Sequence, residues 1–271
     1  MTGSKLLRKA WQNRWALVTG ASAGIGEALA VELAAAGAHL VLTARRRERL
    51  EALASRLKAE YSVETRVLVA DLEQPGAPQG LFDATEGQGT AIDLLINNAG
   101  FGVYGEFHQS DLDRLLAMVE VNCRAVVHLT RLFLPRMNQR RRGDVMIVAS
   151  TAAYQPVPYI STYAATKAFD RFLAEALAEE EKPYGVRVSA LCPGPTESEF
   201  SEVAGGQKPA GRHYQSAAEV ARRGLEGLAQ GKVWVIPYAG GRMQTFAQRL
   251  APRRFVTAMA GKMFRPEELK R

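Results

Sequence analysis

Seven short runs of aliphatic residues recur along the chain, most of them followed by a longer stretch with helical periodicity. That alternation constrains the fold more than any other feature. The runs are Trp15–Thr19, His39–Thr43, Thr65–Ala70, Ile92–Asn97, Asp144–Ser150, Val186–Leu191 and Val233–Pro237. They are nearly continuous in Val, Ile and Leu, as strands buried on both faces must be. Helical patterns occupy Gly24–Ala36, Arg46–Tyr61, Asp111–Leu134, Tyr159–Glu181 and Ser216–Gln230. Strands joined through helices pair in parallel with right-handed crossovers, which predicts an α/β fold: a doubly wound parallel sheet in three α/β/α layers. No repeat or linker divides the 271 residues, and one core can still grow to roughly this size. A single domain is expected over residues 15–241. A basic arm (1–14) precedes it and a basic amphipathic extension (242–271) follows, with Pro252 between two short helices. The stretch from about 195 to 215 lacks periodicity and is expected to be a mobile loop over a site.

Composition excludes several classes. Hydrophobic residues make up 47% and charged residues 23%, a balance that fits neither a disordered nor a fibrous chain. No apolar run is long enough to cross a bilayer. The leader lacks the apolar core of a secretory signal, so a cytoplasmic protein is expected. Cys123 and Cys192 lie far apart without metal-ligand spacing and read as reduced, packed thiols. His39, His108, His128 and His213 are scattered, and no metal is assigned. The formal charge of +7 belongs to the ends. Residues 1–15 hold Lys5, Arg8, Lys9 and Arg14 with no acid, and 242–271 hold eight cations against Glu267 and Glu268. The body between is slightly acidic. The run Arg140 to Arg142 has no interleaved aromatics, so no nucleic-acid partner is expected.

The first strand runs directly into Gly20-Ala-Ser22-Ala23-Gly24-Ile25-Gly26 and then a helix. Glycines let the backbone approach a phosphate, and the free N–H groups of the helix start favour its charge. The spacing is G-x-x-x-G-x-G, and no Gly-Lys-Ser/Thr of a P-loop occurs. The same residues match G-x-S-x-G, which would make Ser22 a hydrolase nucleophile. However, only one strand precedes them, and an oxyanion-hole loop needs another. After the second strand, where an NAD site places an acid for the ribose 2′-OH, stand Ala44 and Arg45. A cation there suits a 2′-phosphate, so NADP(H) is expected over NAD(H).

Tyr163 and Lys167, four apart, share a helix face. An ammonium beside a phenol favours the phenolate and suits acid–base work. Ser150 ends the fifth strand, where open α/β sheets bind ligands.

These landmarks, in order, resemble the classical short-chain dehydrogenase/reductase family. They are Thr19-Gly20 to Gly26, Asn97-Asn98-Ala99-Gly100, Asn122, then Ser150, Tyr163 and Lys167, and finally Pro193-Gly194. They span much of the chain, and the flanks are more similar to NADP-preferring bacterial members than to the fatty-acid reductases. The resemblance implies a Rossmann fold and an oxidoreductase passing hydride between NADP(H) and a carbonyl or secondary alcohol. It implies Tyr163 as acid/base, and Lys167 holding the nicotinamide ribose and lowering the Tyr163 proton affinity. Ser150 would bond the substrate oxygen, with Thr151 a weaker rival, and Asn122 would anchor a relay water. Gly20, Ser22, Ala23, Gly24, Ile25 and Gly26 would hold the pyrophosphate and ribose, and Arg45 the 2′-phosphate. Asp71 and Leu72 would flank the adenine. Asn98, Ala99 and Gly100 would meet the adjacent ribose, and Pro193, Gly194, Thr196 and Ser198 would frame the nicotinamide. The family implies a homodimer or homotetramer.

Around the expected substrate, residues such as Tyr104, Gln155, Ile160 and Phe200 are mostly apolar and carry no cation, which suits a neutral, hydrophobic small molecule. In the extension, Met243, Phe246, Leu250, Phe255, Met259 and Met263 recur at helical spacing among cations. This pattern fits either packing on protein or peripheral contact with an anionic membrane. Two other readings remain open: a non-catalytic dinucleotide-binding regulator and the serine hydrolase.

Overall fold

A computed structural model describes residues 3–205, 214–248 and 250–266; residues 206–213 of the loop expected over about 195–215, the first two residues, Arg249 and the last five lie outside the described residues. In chain order the elements are α1 (Gly3–Trp11), β1 (Trp15–Thr19), α2 (Gly24–Ala35), β2 (His39–Ala44), α3 (Arg47–Tyr61) and β3 (Thr65–Val69). Then come α4 (Ala77–Asp83), β4 (Ile92–Asn97), α5 (Leu112–Val119), α6 (Ala125–Arg140), β5 (Gly143–Val148) and α7 (Ser161–Glu180). The chain continues through β6 (Val186–Leu191), α8 (Phe200–Val203), α9 (Ala217–Ala229), β7 (Trp234–Val235), α10 (Ala239–Ala247) and α11 (Arg253–Phe264).

The seven strands form one sheet in the order β3-β2-β1-β4-β5-β6-β7, and every pairing is parallel. Alternation along each strand feeds two cores. Ala16, Val18, Leu40 and Leu42 face α2, α3 and α9, while Leu17, Val41, Val145 and Ile147 face α6 and α7. Both faces are therefore covered, as the unbroken aliphatic runs require. The chain reverses direction across the sheet between β1 and β4. Their carboxyl ends open a crevice there, where ligands bind in open sheets.

Several elements depart from the sequence reading, among them α4 and α8, where no helix was expected. The region expected as a basic arm is helix α1, docked on the body: Leu7 and Trp11 are buried and its cations face outward. The single helix expected over Asp111–Leu134 is divided at Glu120–Arg124 by a π-helical turn, a wider turn that shifts the side chains following it. The last strand shrinks to Trp234–Val235, because only Ala190 and Leu191 of β6 pair with it.

Pro252 does separate two helices. One face of α11 packs inward, with Ala260 and Phe264 against Val157, Ile160 and Ala164. Phe255, Met259 and Met263 stay exposed on the other.

Candidate active site

Thr19 ends β1 with its hydroxyl donating to Ile96 O at 3.1 Å. The same oxygen accepts from the backbone N–H groups of Asn98 and Ala99, both at 2.9 Å. This one side chain ties the end of β1 to the end of β4. The Asn98 amide donates in turn to Thr19 O at 2.9 Å and Gly20 O at 3.3 Å. Its amide nitrogen thus braces the glycine turn, a positioning task that spacing did not reveal.

Glycine is required at the turn. Gly20 has φ +65°, and a Cβ there would lie 2.9 Å from Ala99 Cα. A Cβ on Gly26 would stand 2.2 Å from Gly20 O, well inside contact distance. Ser198 of the loop after β6 lies against Gly24, 3.1 Å from where a Cβ would sit. The loop is anchored by Thr196 Oγ1 on Gly194 O at 2.9 Å and by pairing of Thr196 with Gln215.

The cation at the turn is not the expected one. Arg45 turns away to Glu73 at 3.0 Å. Arg46 instead donates to the Ser22 hydroxyl through Nε at 3.2 Å and Nη2 at 3.1 Å. Its Nη1 meets Glu199 at 2.7 Å, and Arg49 meets the same carboxylate at 2.5 Å. These two guanidiniums hold the Glu199 carboxyl below its usual range. Arg46, Arg47 and Arg49 line a surface pocket at the start of α3. Three successive arginines gave the sequence no means of choosing among them. Asp71 sits just past β3, accepting from Glu73 N at 3.1 Å, and Leu72 is buried.

On the other side of the crevice, α7 presents Tyr163 and Lys167 on one face. The Lys167 ammonium lies 6.0 Å from the Tyr163 ring centroid. Partial burial pushes the phenol above its usual range, while Lys167 and a hydrogen bond with Ser150 pull it back. Ser150 caps the turn after β5, its Oγ accepting from Ala152 N at 3.1 Å. Asn122 sits in the π turn, and both ends of its amide are engaged. Oδ1 accepts from Phe101 N at 3.1 Å, and Nδ2 donates to Phe101 O and Thr166 Oγ1, each at 3.0 Å. A Cβ on Gly100 would fall 3.0 Å from Asn122 Oδ1 and 3.4 Å from Lys167 Nζ, so these expected residues converge. Gly194 faces Tyr238, which would be 2.6 Å from a Cβ.

Phe200, on α8, packs its ring 5.0 Å from that of Tyr163 and covers Gly102. Tyr104 donates to Phe264 O at 2.8 Å. The C-terminal helix therefore packs against the loop after β4 and against Ile160. Gln155 is half-buried at the end of the Thr151–Tyr154 turn. Sequence reasoning missed Arg46, Glu199 and Phe264, whose places depend on contacts across the fold. It also missed Asp170, although its spacing of three from Lys167 was legible.

Ser22 accepts only from Arg46 among the described hydrogen bonds. A guanidinium cannot take a proton, so among the described residues no base for a serine nucleophile meets Ser22.

A strand-turn-helix cradle facing a Ser, Tyr and Lys across the switch point defines a dinucleotide-type α/β site. The comparisons place the chain further. Residues 14–208 match the family model described as short chain dehydrogenase, and the chain belongs to that family. It is 37% identical over 188 residues to the very-long-chain 3-oxoacyl-CoA reductase-A of Danio rerio, covering 66% of this chain and 57% of that protein. The match therefore spans little more than half of that relative's length. Among solved structures, a short-chain dehydrogenase from Sphingobium yanoikuyae in complex with NADPH superposes with a TM-score of 0.80 at 30% identity, covering 95% of this chain and 98% of that one. The bulky-bulky ketone specific alcohol dehydrogenase of Comamonas testosteroni gives 0.75 at 30% identity, covering 95% and 96%.

Proposed function

We propose that this protein is an oxidoreductase that passes hydride between a nicotinamide dinucleotide and a carbonyl or secondary alcohol on a hydrophobic molecule. The observation that carries the reading is the placement of Tyr163, Ser150 and Lys167 opposite the glycine turn. The turn fits the cofactor: with Gly20 and Gly24 at positive φ, it folds tightly into the start of α2, whose free N–H groups favour a phosphate. A bound nicotinamide supplies or accepts the hydride. The chain supplies the rest. Tyr163 gives its proton to the carbonyl oxygen or takes it from the alcohol, and Ser150 bonds that oxygen as charge develops. Lys167 favours the phenolate by its charge.

NADP(H) is the proposed cofactor. Arg46 beside Ser22, in a pocket lined by Arg46, Arg47, Glu48 and Arg49, offers the planar, always-charged fork that suits a 2′-phosphate. Gly20 to Gly26, Asn98 to Gly100, Asp71, Leu72 and Pro193 to Ser198 are proposed as its other contacts.

The substrate side is built from Phe101, Tyr104, Ile160, Phe200 and Phe264, and this apolar lining favours a lipophilic carbonyl. The bulky-ketone neighbour supports such a substrate class. Cofactor-monitored profiling with NADPH against lipophilic and anionic carbonyls tests it. Turnover of the lipophilic set is expected, and turnover confined to the anionic set overturns the reading.

Two contacts belong to the same proposal. Leu112, Leu116, Val119, Val127 and Phe172 are exposed along α5, α6 and α7, an apolar face suited to a second copy, and a homodimer or homotetramer is proposed. Exposed Met243, Phe246, Phe255, Met259 and Met263 stand among Arg242, Arg253, Arg254 and Lys262, which suits peripheral contact of a cytoplasmic protein with an anionic bilayer. No helix among the described residues is long and apolar enough to cross a membrane. Co-sedimentation with anionic vesicles, with and without residues 242–271, decides this: equal binding by both forms rejects the contact.

A further inference from the structure

Asp170 follows Lys167 by three residues on α7, so the two carry opposite charges on one helix face. The carboxylate is fully buried. Its Oδ2 accepts from Lys167 Nζ at 2.9 Å, while Oδ1 has no partner among the described residues. The ammonium is tethered a second time, donating to Val148 O at 2.8 Å.

This pair is costly. Withdrawing two charges from water is repaid only by excellent geometry, and an orphaned carboxylate oxygen adds to the cost. An apolar residue at 170 would serve the core between α7 and the sheet as well. The pairing also opposes the task given to Lys167, because a carboxylate beside the ammonium cancels part of its field at Tyr163.

We propose that Asp170 is a positioning residue: it fixes the Lys167 ammonium and tempers its pull on the Tyr163 proton. The inference rests on the reading of Tyr163 as the acid–base group. The charged and titratable groups facing Asp170 are few. Lys167 and Tyr163 face it from α7, and Cys123 faces it from the π turn. Glu120 and Arg124 of that turn pair with each other. From β5 and β6, Asp144 and Arg187 pair together. Cys192 meets Tyr154 of the Thr151–Tyr154 turn at 3.9 Å, and Arg171 lies 4.0 Å over that tyrosine ring. Asp113 and Arg114 of α5 are exposed.

The sign follows from the charges. Asp170 as an anion raises the proton affinity of Tyr163, and it also raises that of Lys167. Removing the charge leaves the ammonium uncompensated and lowers the Tyr163 pKa.

The test is an ultraviolet difference titration of the tyrosinate band, with Tyr163→Phe as the blank, on the purified full chain with and without NADP+. In Asp170→Asn the Tyr163 signal is expected at lower pH than in wild type. Asp170→Ser, smaller and still polar, reads the same band if the asparagine variant does not fold. An unmoved or alkaline-shifted signal overturns the inference. Turnover is measured in parallel. If Tyr163→Phe turns over like wild type, the acid–base reading fails, and this inference falls with it. If Tyr163→Phe is inactive and the Asp170→Asn signal does not move, only the inference about Asp170 fails.

Discussion

Arg46 grips the Ser22 hydroxyl with two nitrogens, Nε at 3.2 Å and Nη2 at 3.1 Å, and so sets a guanidinium beside the glycine turn. Arg45, its neighbour in sequence, is spent on Glu73. Arg46→Ala should therefore raise the KM for NADPH by about tenfold or more, the worth of a charge-assisted bond, and leave that for NADH nearly unchanged. Arg45→Ala should change either value much less. Initial rates with both cofactors decide, and equal losses for NADPH and NADH in Arg46→Ala would contradict the assignment.

Tyr163→Phe removes the hydroxyl and little else. Turnover should drop by about 10²- to 10⁴-fold, the usual worth of a positioned acid–base group. Cofactor affinity, read from nicotinamide fluorescence, should stay near wild type.

Gly26→Ala places a methyl 2.2 Å from Gly20 O and 2.4 Å from Asn98 Nδ2. The turn must shift to admit it, at a cost of about 1–3 kcal/mol typical of overpacking. Thermal melts and cofactor titration should show lower Tm and weaker binding together. Wild-type cofactor affinity in this variant would mean that the turn does not hold the cofactor.

The Trp11 indole is fully buried and donates to Asp144 at 2.7 Å, joining residues 133 positions apart. Trp11→Ala opens a cavity and takes one of two donors from Asp144 Oδ2, which Arg187 still pairs. Urea denaturation should show about 3–5 kcal/mol lost. A loss under about 1 kcal/mol would show that α1 rests on the body without supporting it.

Burial pushes the thiols of both Cys123 and Cys192 up to about 12. Both should stay protonated and slow toward an aromatic disulfide reagent at pH 8, and both should react once urea unfolds the chain. The unfolded chain sheds these protons near 9.0 while the folded chain holds them to about 12. The unfolded state thus binds fewer protons in that window, so stability falls as pH rises through it. Melting temperatures that rise between pH 9 and 11 would refute the shifts.

Much of this molecule is written locally. Aliphatic runs such as Leu17–Val18 and Val145–Met146 can only be strands covered on both sides, and that determined a parallel sheet. Gly20, Gly24 and Gly26 after a strand, and Tyr163 four before Lys167, are short-range patterns whose geometry follows from helix and turn periodicity. What the linear order could not decide is which side chains meet across the fold. Arg45, Arg46 and Arg47 are equivalent as text, and only the direction of the chain entering α3 sends Arg46 to Ser22. Trp11 looked like part of a charged leader until Asp144, on β5, received its N–H. The C-terminal helix read as amphipathic, and only the packing of Ala260 and Phe264 on Val157 and Ile160 showed which face it turns to the body. The cost carried by Asp170 arises from burial alone, because an acid and a lysine three residues apart are an ordinary surface pair until the sheet excludes water from them.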